Sequence, residues 1–255
     1  MEELTYVVNG KIGTMKVNRP KAFNALNRAV IDEMDRIFDE IAKKQDIKVL
    51  VIGGDRNFAA GADITQMANA NVEEAAVFSF NSTFNKLMNL PVATIAAMDG
   101  FALGGGLELA LACDIRIATK RAKMGTPEIT LGIMPGAGGT VRLPRLVGYS
   151  KAFEMICMGE QVRAEQALAL GLVNRVVEDD ALEAEVKAVA NKLAAMPLVA
   201  MQTAKKSMRA ELECSTVEEA TELEVKNWAS LFATEDQKEG MRAFLNKEKA
   251  VFKDR

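Results

Sequence analysis

Glu108 is the single ionisable residue in the apolar run Leu107-Glu108-Leu109-Ala110-Leu111-Ala112, and it follows directly on Gly104, Gly105 and Gly106. Glycines lack a Cβ, so their backbone can approach a bound group closely, and N–H groups at a helix start point outward where the dipole favours negative charge. On a helix, Glu108 emerges beside the Gly105 N–H rather than opposite it. A carboxylate set among Leu and Ala must be paired, protonated or turned to a cavity, because burying it alone costs on the order of several kcal/mol. A second carboxylate, Glu128, stands in Thr126-Pro127-Glu128-Ile129, ahead of a segment rich in Gly and Pro that runs to Gly139.

Each acid has a plain structural reading. Glu108 can face solvent or cap a neighbour, and Glu128 can complement a helix dipole from the first turn. Together in one closed pocket they would raise each other's pKa, so that one holds a proton while the other accepts one. The glycines do not match GxxxxGK[ST] or GxGxxG, which removes the phosphate-loop and dinucleotide readings. They fit a backbone oxyanion hole, in which two N–H donors stabilise charge developing on a carbonyl oxygen. Gly105 can supply one donor. The other can come from Ala62, in the small apolar loop Asn57-Phe58-Ala59-Ala60-Gly61-Ala62-Asp63-Ile64.

The chain has no histidine, which removes Ser-His-Asp and Cys-His nucleophiles, His-ligated zinc and imidazole proton shuttles together. Acid–base chemistry then falls first to Asp and Glu, since only two tyrosines are present. Cys113, Cys157 and Cys214 are odd in number and far apart, against a disulfide framework or a thiolate metal site. A formal net charge of −3 gives no general attraction to nucleic acid or anionic membranes. The acidic opening lacks a signal-peptide layout and no apolar run is long enough to span a bilayer, so a cytoplasmic chain is expected.

The elements that must position these residues follow from periodicity. Residues 5–8 and 12–17 alternate as strands around Asn9-Gly10, a hairpin signal. Apolar residues at helical spacing predict a helix over 28–44 with Asn27 as its cap, and a continuous helix over 72–89. Short apolar runs predict strands at 49–52, 92–98, 115–118 and 173–177, with 132–139 as a long loop and 120–123 as a turn. Helices are predicted over 181–196, 199–211, 216–232 and 236–251. The alternation of strand and helix up to residue 177 means α/β, with a helical final third that can pack on another subunit. Residues 1–196 are expected as a core and 197–255 as a helical oligomerisation region.

Three segments together resemble the enoyl-CoA hydratase/isomerase (crotonase) superfamily. They are Ala59-Ala60-Gly61-Ala62-Asp63-Ile64; Asp99-Gly100-Phe101-Ala102-Leu103-Gly104-Gly105-Gly106-Leu107-Glu108-Leu109-Ala110; and Thr126-Pro127-Glu128-Ile129 through Pro135-Gly136-Ala137-Gly138-Gly139. Their order and spacing match over essentially the whole chain. The resemblance implies the crotonase (ClpP/crotonase-like) fold, a spiral of ββα units forming two sheets, with C-terminal helices that build a trimer and a hexamer as a dimer of trimers. It places oxyanion donors on the N–H groups of Ala62 and Gly105 and catalytic acids on Glu108 and Glu128. It places CoA contacts on Lys21, Ala22, Ala25, Ala60, Asp63, Ile64 and Thr65, with Arg19 as a further phosphate partner and an acyl pocket from Met67 and residues 72–84.

The implied reaction is reversible syn hydration of a trans-2-enoyl-CoA to the 3-hydroxyacyl-CoA, with no metal and no redox cofactor, since CoA arrives as part of the substrate. The alternative on the same scaffold is Δ3,Δ2-enoyl-CoA isomerisation, with Glu128 shuttling a proton and Glu108 idle. Some relatives of this fold also bind RNA through a basic N-terminal helix. Here that helix carries Asp32, Glu33, Asp35, Asp39 and Glu40, which repel a phosphate backbone. A non-catalytic assembly protein is a further alternative, against which the pair of acids counts.

Overall fold

Strands β1 (Leu4–Asn9) and β2 (Ile12–Val17) pair antiparallel, with Asn9 opposite Ile12, so the connecting loop is Gly10-Lys11 and Gly10 takes the positive φ. The computed structural model describes residues 2–211 and 213–255. Helix α1 (Arg28–Lys44) starts where the Asn27 side chain accepts the Val30 N–H at 2.9 Å, and it buries Val30, Ile31, Met34, Ile37, Phe38 and Ile41 on one stripe. Strand β3 (Val49–Gly54) then lies parallel to β2.

The helix expected over 72–89 is two helices, α2 (Val72–Val77) and α3 (Asn81–Met88). The break comes at Phe80, which takes φ +55° and buries its ring in the core beside Phe84. Phe80, Phe84 and Leu87 form a stripe spaced four and three residues apart, whereas residues 72–76 of α2 are exposed, so the two halves face different surroundings.

Beyond α3, β4 (Ala93–Met98) runs through Gly100 into β5 (Phe101–Leu103) and then α4 (Gly105–Leu111). Next β6 (Ile115–Thr119) runs into β7 (Lys123–Gly125) and a 3-10 turn, Pro127–Leu131. The chain continues through α5 (Gly139–Val147), α6 (Tyr149–Cys157), β8 (Gln161–Arg163), α7 (Ala164–Ala169) and β9 (Arg175–Val177). It ends with α8 (Leu182–Ala194), α9 (Leu198–Glu211), α10 (Val217–Ser230) and α11 (Glu235–Asn246).

The strands form two sheets, one in the order β1-β2-β3-β4-β6-β9 and one in the order β5-β7-β8. Alternation along β3 splits the large sheet's faces: Leu50 and Ile52 join the main core, while Val49 and Val51 pack under Val186, Val189 and Ala190 of α8. The small sheet is extended by bridges pairing Ala59 with Ala102 and Leu26 with Ala62. Three successive turns of the chain thus add residues 59–62, β5 and β7 to this second sheet in the same direction, with β8 antiparallel at its edge, the spiral of ββα units that the resemblance implied. Residues 120–123, expected as a turn, already enter β7 at Lys123.

The final helix stops at Asn246 rather than 251, because Lys247 adopts the left-handed conformation that closes a helix end. The tail folds back on α11: Asp236 accepts the N–H groups of Lys253 at 2.6 Å and Asp254 at 2.9 Å. Asp254 also pairs with the buried Lys48 at 2.5 Å. Asp114 receives Lys205 and Arg209 of α9, each at 2.8 Å, and thereby ties the helical region to the loop before β6.

Candidate active site

The small sheet sets the position of each site residue. Ala59, Ala102 and Met124 lie in neighbouring register, and the chain reaches Ala62, Gly105 and Glu128 three or four residues later on the same end of that sheet. In the bridge between Leu26 and Ala62, Leu26 N–H donates to Gly61 O and Asp63 N–H donates to Leu26 O, both at 2.8 Å. Alternation along an extended segment then turns the Ala62 N–H away from Leu26. Gly105 begins α4, where the first N–H groups have no partner inside the helix. An added Cβ on Gly105 would stand 3.5 Å from Ala62 N, so the two residues are neighbours.

Glu108 lies in the first turn of α4 and is 2% exposed. Its Oε1 accepts the N–H of Ala137 at 2.8 Å and of Gly139 at 2.7 Å, at the start of α5. Burial pushes its pKa above the ordinary carboxylate value, against the Gly139 and Ala137 N–H groups and the Arg142 charge, which favour the ionised form. At Gly139 an added Cβ would come within 2.9 Å of Glu108 Oε1, so this close approach requires glycine.

Glu128 sits behind Pro127 in the 3-10 turn, and the buried Thr126 anchors the turn through Oγ1 to Met155 O at 3.2 Å. Burial first, opposed by its own backbone N–H, and then the charge of Glu108 raise the Glu128 carboxyl to about 7. Its Oε2 is buried and takes no hydrogen bond from the described residues. Gly104, at φ +50°, lies against Oε1, where an added Cβ would be 2.8 Å away. The glycine segment that leads into Glu108 therefore meets Glu128, and the Glu108 charge acts on the Glu128 carboxyl.

The residues expected at the CoA end fall on two joined loops. Ala60 N–H donates to Phe23 O at 3.1 Å, and the Leu26 bridge adjoins it, which sets Lys21, Ala22 and Ala25 beside Ala60, Asp63, Ile64 and Thr65. Lys21 is exposed at the edge of the 3-10 turn Pro20–Ala22, and Ile64 and Thr65 are exposed across from it. Asp63 accepts both the N–H and the hydroxyl of Thr65, and this bonding together with Arg19 holds its carboxyl below the usual value.

Arg19, expected as a phosphate partner, is engaged inside the protein. It donates to Glu3 Oε1 at 3.0 Å, Asp63 Oδ2 at 2.9 Å and Ala25 O at 2.6 Å, and so clasps the two loops. Of the residues expected around the acyl pocket, Phe80 and Phe84 pack in the core. The roles of the Ala137 and Gly139 N–H groups and of the Arg142 side chain went unread in the sequence, where residues 135–139 entered as a loop and as part of the resemblance.

Among the described residues, no group of three or more His, Cys, Asp or Glu side chains is arranged to hold a metal, and no helix is long and apolar enough to cross a membrane. The enoyl-CoA hydratase/isomerase family model matches residues 8–255. The chain is 41% identical over 251 residues to a short-chain-enoyl-CoA hydratase from Clostridium acetobutylicum, covering 96% of each. It is 40% identical over 246 residues to a crotonyl-CoA hydratase from Syntrophomonas wolfei, covering 95% of this chain and 94% of that one. The crystal structure of an enoyl-CoA hydratase from Bacillus anthracis superposes with a TM-score of 0.95 at 33% identity over the full length of both chains. With this fold, and with that agreement from end to end, the chain belongs to the enoyl-CoA hydratase/isomerase family.

Proposed function

We propose that the protein is an enoyl-CoA hydratase, adding water reversibly across the 2,3 double bond of a trans-2-enoyl-CoA. The observation that carries this reading is the difference between its two acids. Glu108 is fixed by two N–H donors that oppose the upward push of burial on its carboxyl, whereas Glu128 is raised to about 7 and its buried Oε2 takes no hydrogen bond from the described residues. Hydration needs both a base and an acid at one double bond, and these environments separate the roles.

In this mechanism the thioester oxygen lies between the N–H groups of Ala62 and Gly105, which stabilise it as the enolate develops. Glu108 takes a proton from water while the water oxygen bonds to C3. The C2–C3 π electrons pass to the enolate, and Glu128 then gives its proton to C2. A proton passed from Glu108 to Glu128 restores the starting state. Because the two acids are coupled, the pair rather than either residue titrates in the pH profile. The reaction as written requires no metal or redox group, and CoA enters with the substrate. In this reading Lys21, exposed at the edge of its loop, meets a CoA phosphate.

The assembly follows the family pattern in this proposal, a trimer built on the C-terminal helices and a hexamer of two trimers. Phe244 and Leu245 of α11 are 83% and 79% exposed, and Trp228 and Val225 of α10 are also exposed; these apolar side chains support a subunit contact. A cytoplasmic protein with no nucleic-acid partner fits the net charge and the acidic α1.

The test is spectrophotometric. Adding the protein to crotonyl-CoA bleaches the enoyl-thioester ultraviolet band without an added cofactor, and 3-hydroxybutyryl-CoA accumulates. No bleaching with enoyl-CoA substrates of short, medium and long chain would remove the hydratase reading. Conversion of 3-enoyl-CoA to 2-enoyl-CoA that survives Glu108→Gln, with no hydration, would establish the isomerase instead.

A further inference from the structure

Glu108 receives its two N–H bonds from a loop that is held by side chains outside the acid pair. The Ala137 N–H belongs to the same peptide plane as Gly136 O, and Asn81 Nδ2 at the start of α3 donates to that oxygen at 2.7 Å. Because the peptide is rigid and trans, fixing its oxygen fixes the direction of its N–H. The next peptide, between Ala137 and Gly138, links the two that carry the N–H groups on Glu108, and Arg142 Nη1 of α5 holds it by donating to Ala137 O at 2.8 Å. Its other arm, Nη2, donates to Asn85 Oδ1 of α3 at 2.5 Å. The guanidinium folds over Gly138, which takes φ +102°, and a side chain at that position would collide with it. Arg142 N–H closes the turn by donating to Gly138 O at 2.8 Å.

We propose that Arg142, anchored on α3 by Asn85 and working with Asn81, is a positioning residue that holds loop 136–139 so that the Ala137 and Gly139 N–H groups meet Glu108. A planar fork with two fixed arms can span loop and helix at once. Supporting bonds of this kind make the geometry of a working group independent of solvent fluctuation. The other charged groups acting on the pair are Glu128, which couples to Glu108, and Arg209 of α9, which faces Arg142. The Arg142 charge opposes the upward push of burial on Glu108. The inference rests on the proposed role of Glu108 as base, but its first readout does not need substrate.

The experiment follows the Glu108 carboxyl by NMR in protein labelled at the glutamate side-chain carboxyl carbon, with Glu108→Gln assigning the signal. Arg142→Gln is expected to raise its midpoint by about one pH unit, and Arg142→Lys, which keeps the charge but loses the fork, to bring it back only part of the way. In the crotonyl-CoA assay the acidic limb of kcat/KM moves by the same amount, and kcat falls on the order of tenfold or more while KM stays within about threefold. An Arg142→Gln protein whose Glu108 titrates as in the wild type, or an Arg142→Lys protein with the kcat of the wild type, overturns the proposal. If Arg142→Gln does not fold, Asn81→Ala decides: its kcat drops roughly threefold to tenfold at constant KM, with the Glu108 midpoint raised, or the brace is wrong. A wild-type protein inactive toward enoyl-CoA removes the functional reading, and the titration still decides the brace.

Discussion

The Gly139 N–H reaches Glu108 Oε1 at 2.7 Å across 31 positions of chain. This contact joins the glycine-led helix to the loop beyond Glu128, and it separates the surroundings of the two acids. One carboxylate has two backbone donors on a single oxygen, and the other has a buried oxygen with none from the described residues.

Glu108→Gln keeps an oxygen able to accept the Ala137 and Gly139 N–H groups but removes the base. Crotonyl-CoA hydration is expected to fall about 10³-fold in kcat with KM changed by no more than about threefold. Steady-state absorbance kinetics with a circular-dichroism control for folding measures it; a loss below about tenfold would show that Glu108 is not the base.

Glu128 must hold its proton to act as the acid, and its carboxyl lies at about 7. Hydration should therefore decline as pH rises through about 7, and Glu128→Gln should abolish the activity. The folded value is above the ordinary 4.5, so the folded state binds the extra proton between these limits. Stability from this group is complete below about 4.5 and is lost as pH rises through about 7. Glu128→Gln should consequently gain about 1–2 kcal/mol relative to wild type at pH 8 and nothing at pH 4, after allowing for partial solvent screening. Urea titrations at the two pH values compare them.

Gly105→Pro deletes one N–H at a first helical position, where proline is tolerated. Loss of that donor is expected to cost about 3 kcal/mol of barrier, or between about 10²-fold and 10³-fold in kcat, with little change in melting temperature. Unchanged turnover in a folded variant would take Gly105 out of the oxyanion hole.

Asp114 accepts the Thr94 N–H at 2.8 Å, the Thr94 hydroxyl at 2.9 Å and the cations Lys205 and Arg209. Asp114→Ala leaves the well-buried Lys205 without its carboxylate and should destabilise the protein by about 3 kcal/mol. Denaturant unfolding provides the value; a cost below about 1 kcal/mol would mean that α9 is held mainly by apolar packing.

Phe244→Asp with Leu245→Asp places two charges on the exposed face of α11. Light scattering after gel filtration is expected to give a mass three or six times 27.7 kDa for the wild type and a smaller species for the variant. A wild-type protein that runs as a single chain would dismiss the trimer.

The amino-acid sequence by itself determined the elements whose signals are local. The hairpin, the Asn27-capped helix and the long apolar strands β3, β4 and β6 follow from side-chain period and turn chemistry acting within a few residues. The same is true of the choice of acid over imidazole chemistry, because a chain without histidine has none to use. Glu108 could be singled out because a carboxylate in an apolar run after three glycines is costly without a purpose.

Only the tertiary structure decided how these parts meet. Strands β5 and β7 are three residues each, too short to show a period, and yet their register with the Ala59 bridge carries Ala62, Gly105 and Glu128 to one end of one sheet. The break at Phe80 depends on which face its neighbours offer, and the internal engagement of Arg19 depends on Glu3 and Asp63, which lie far from it in sequence. The different surroundings of Glu108 and Glu128 arise the same way. Protonation responds to burial and to donors within a few ångströms, and for Glu108 the donors lie about 30 residues downstream, on peptides that Asn81 and Arg142 hold in place.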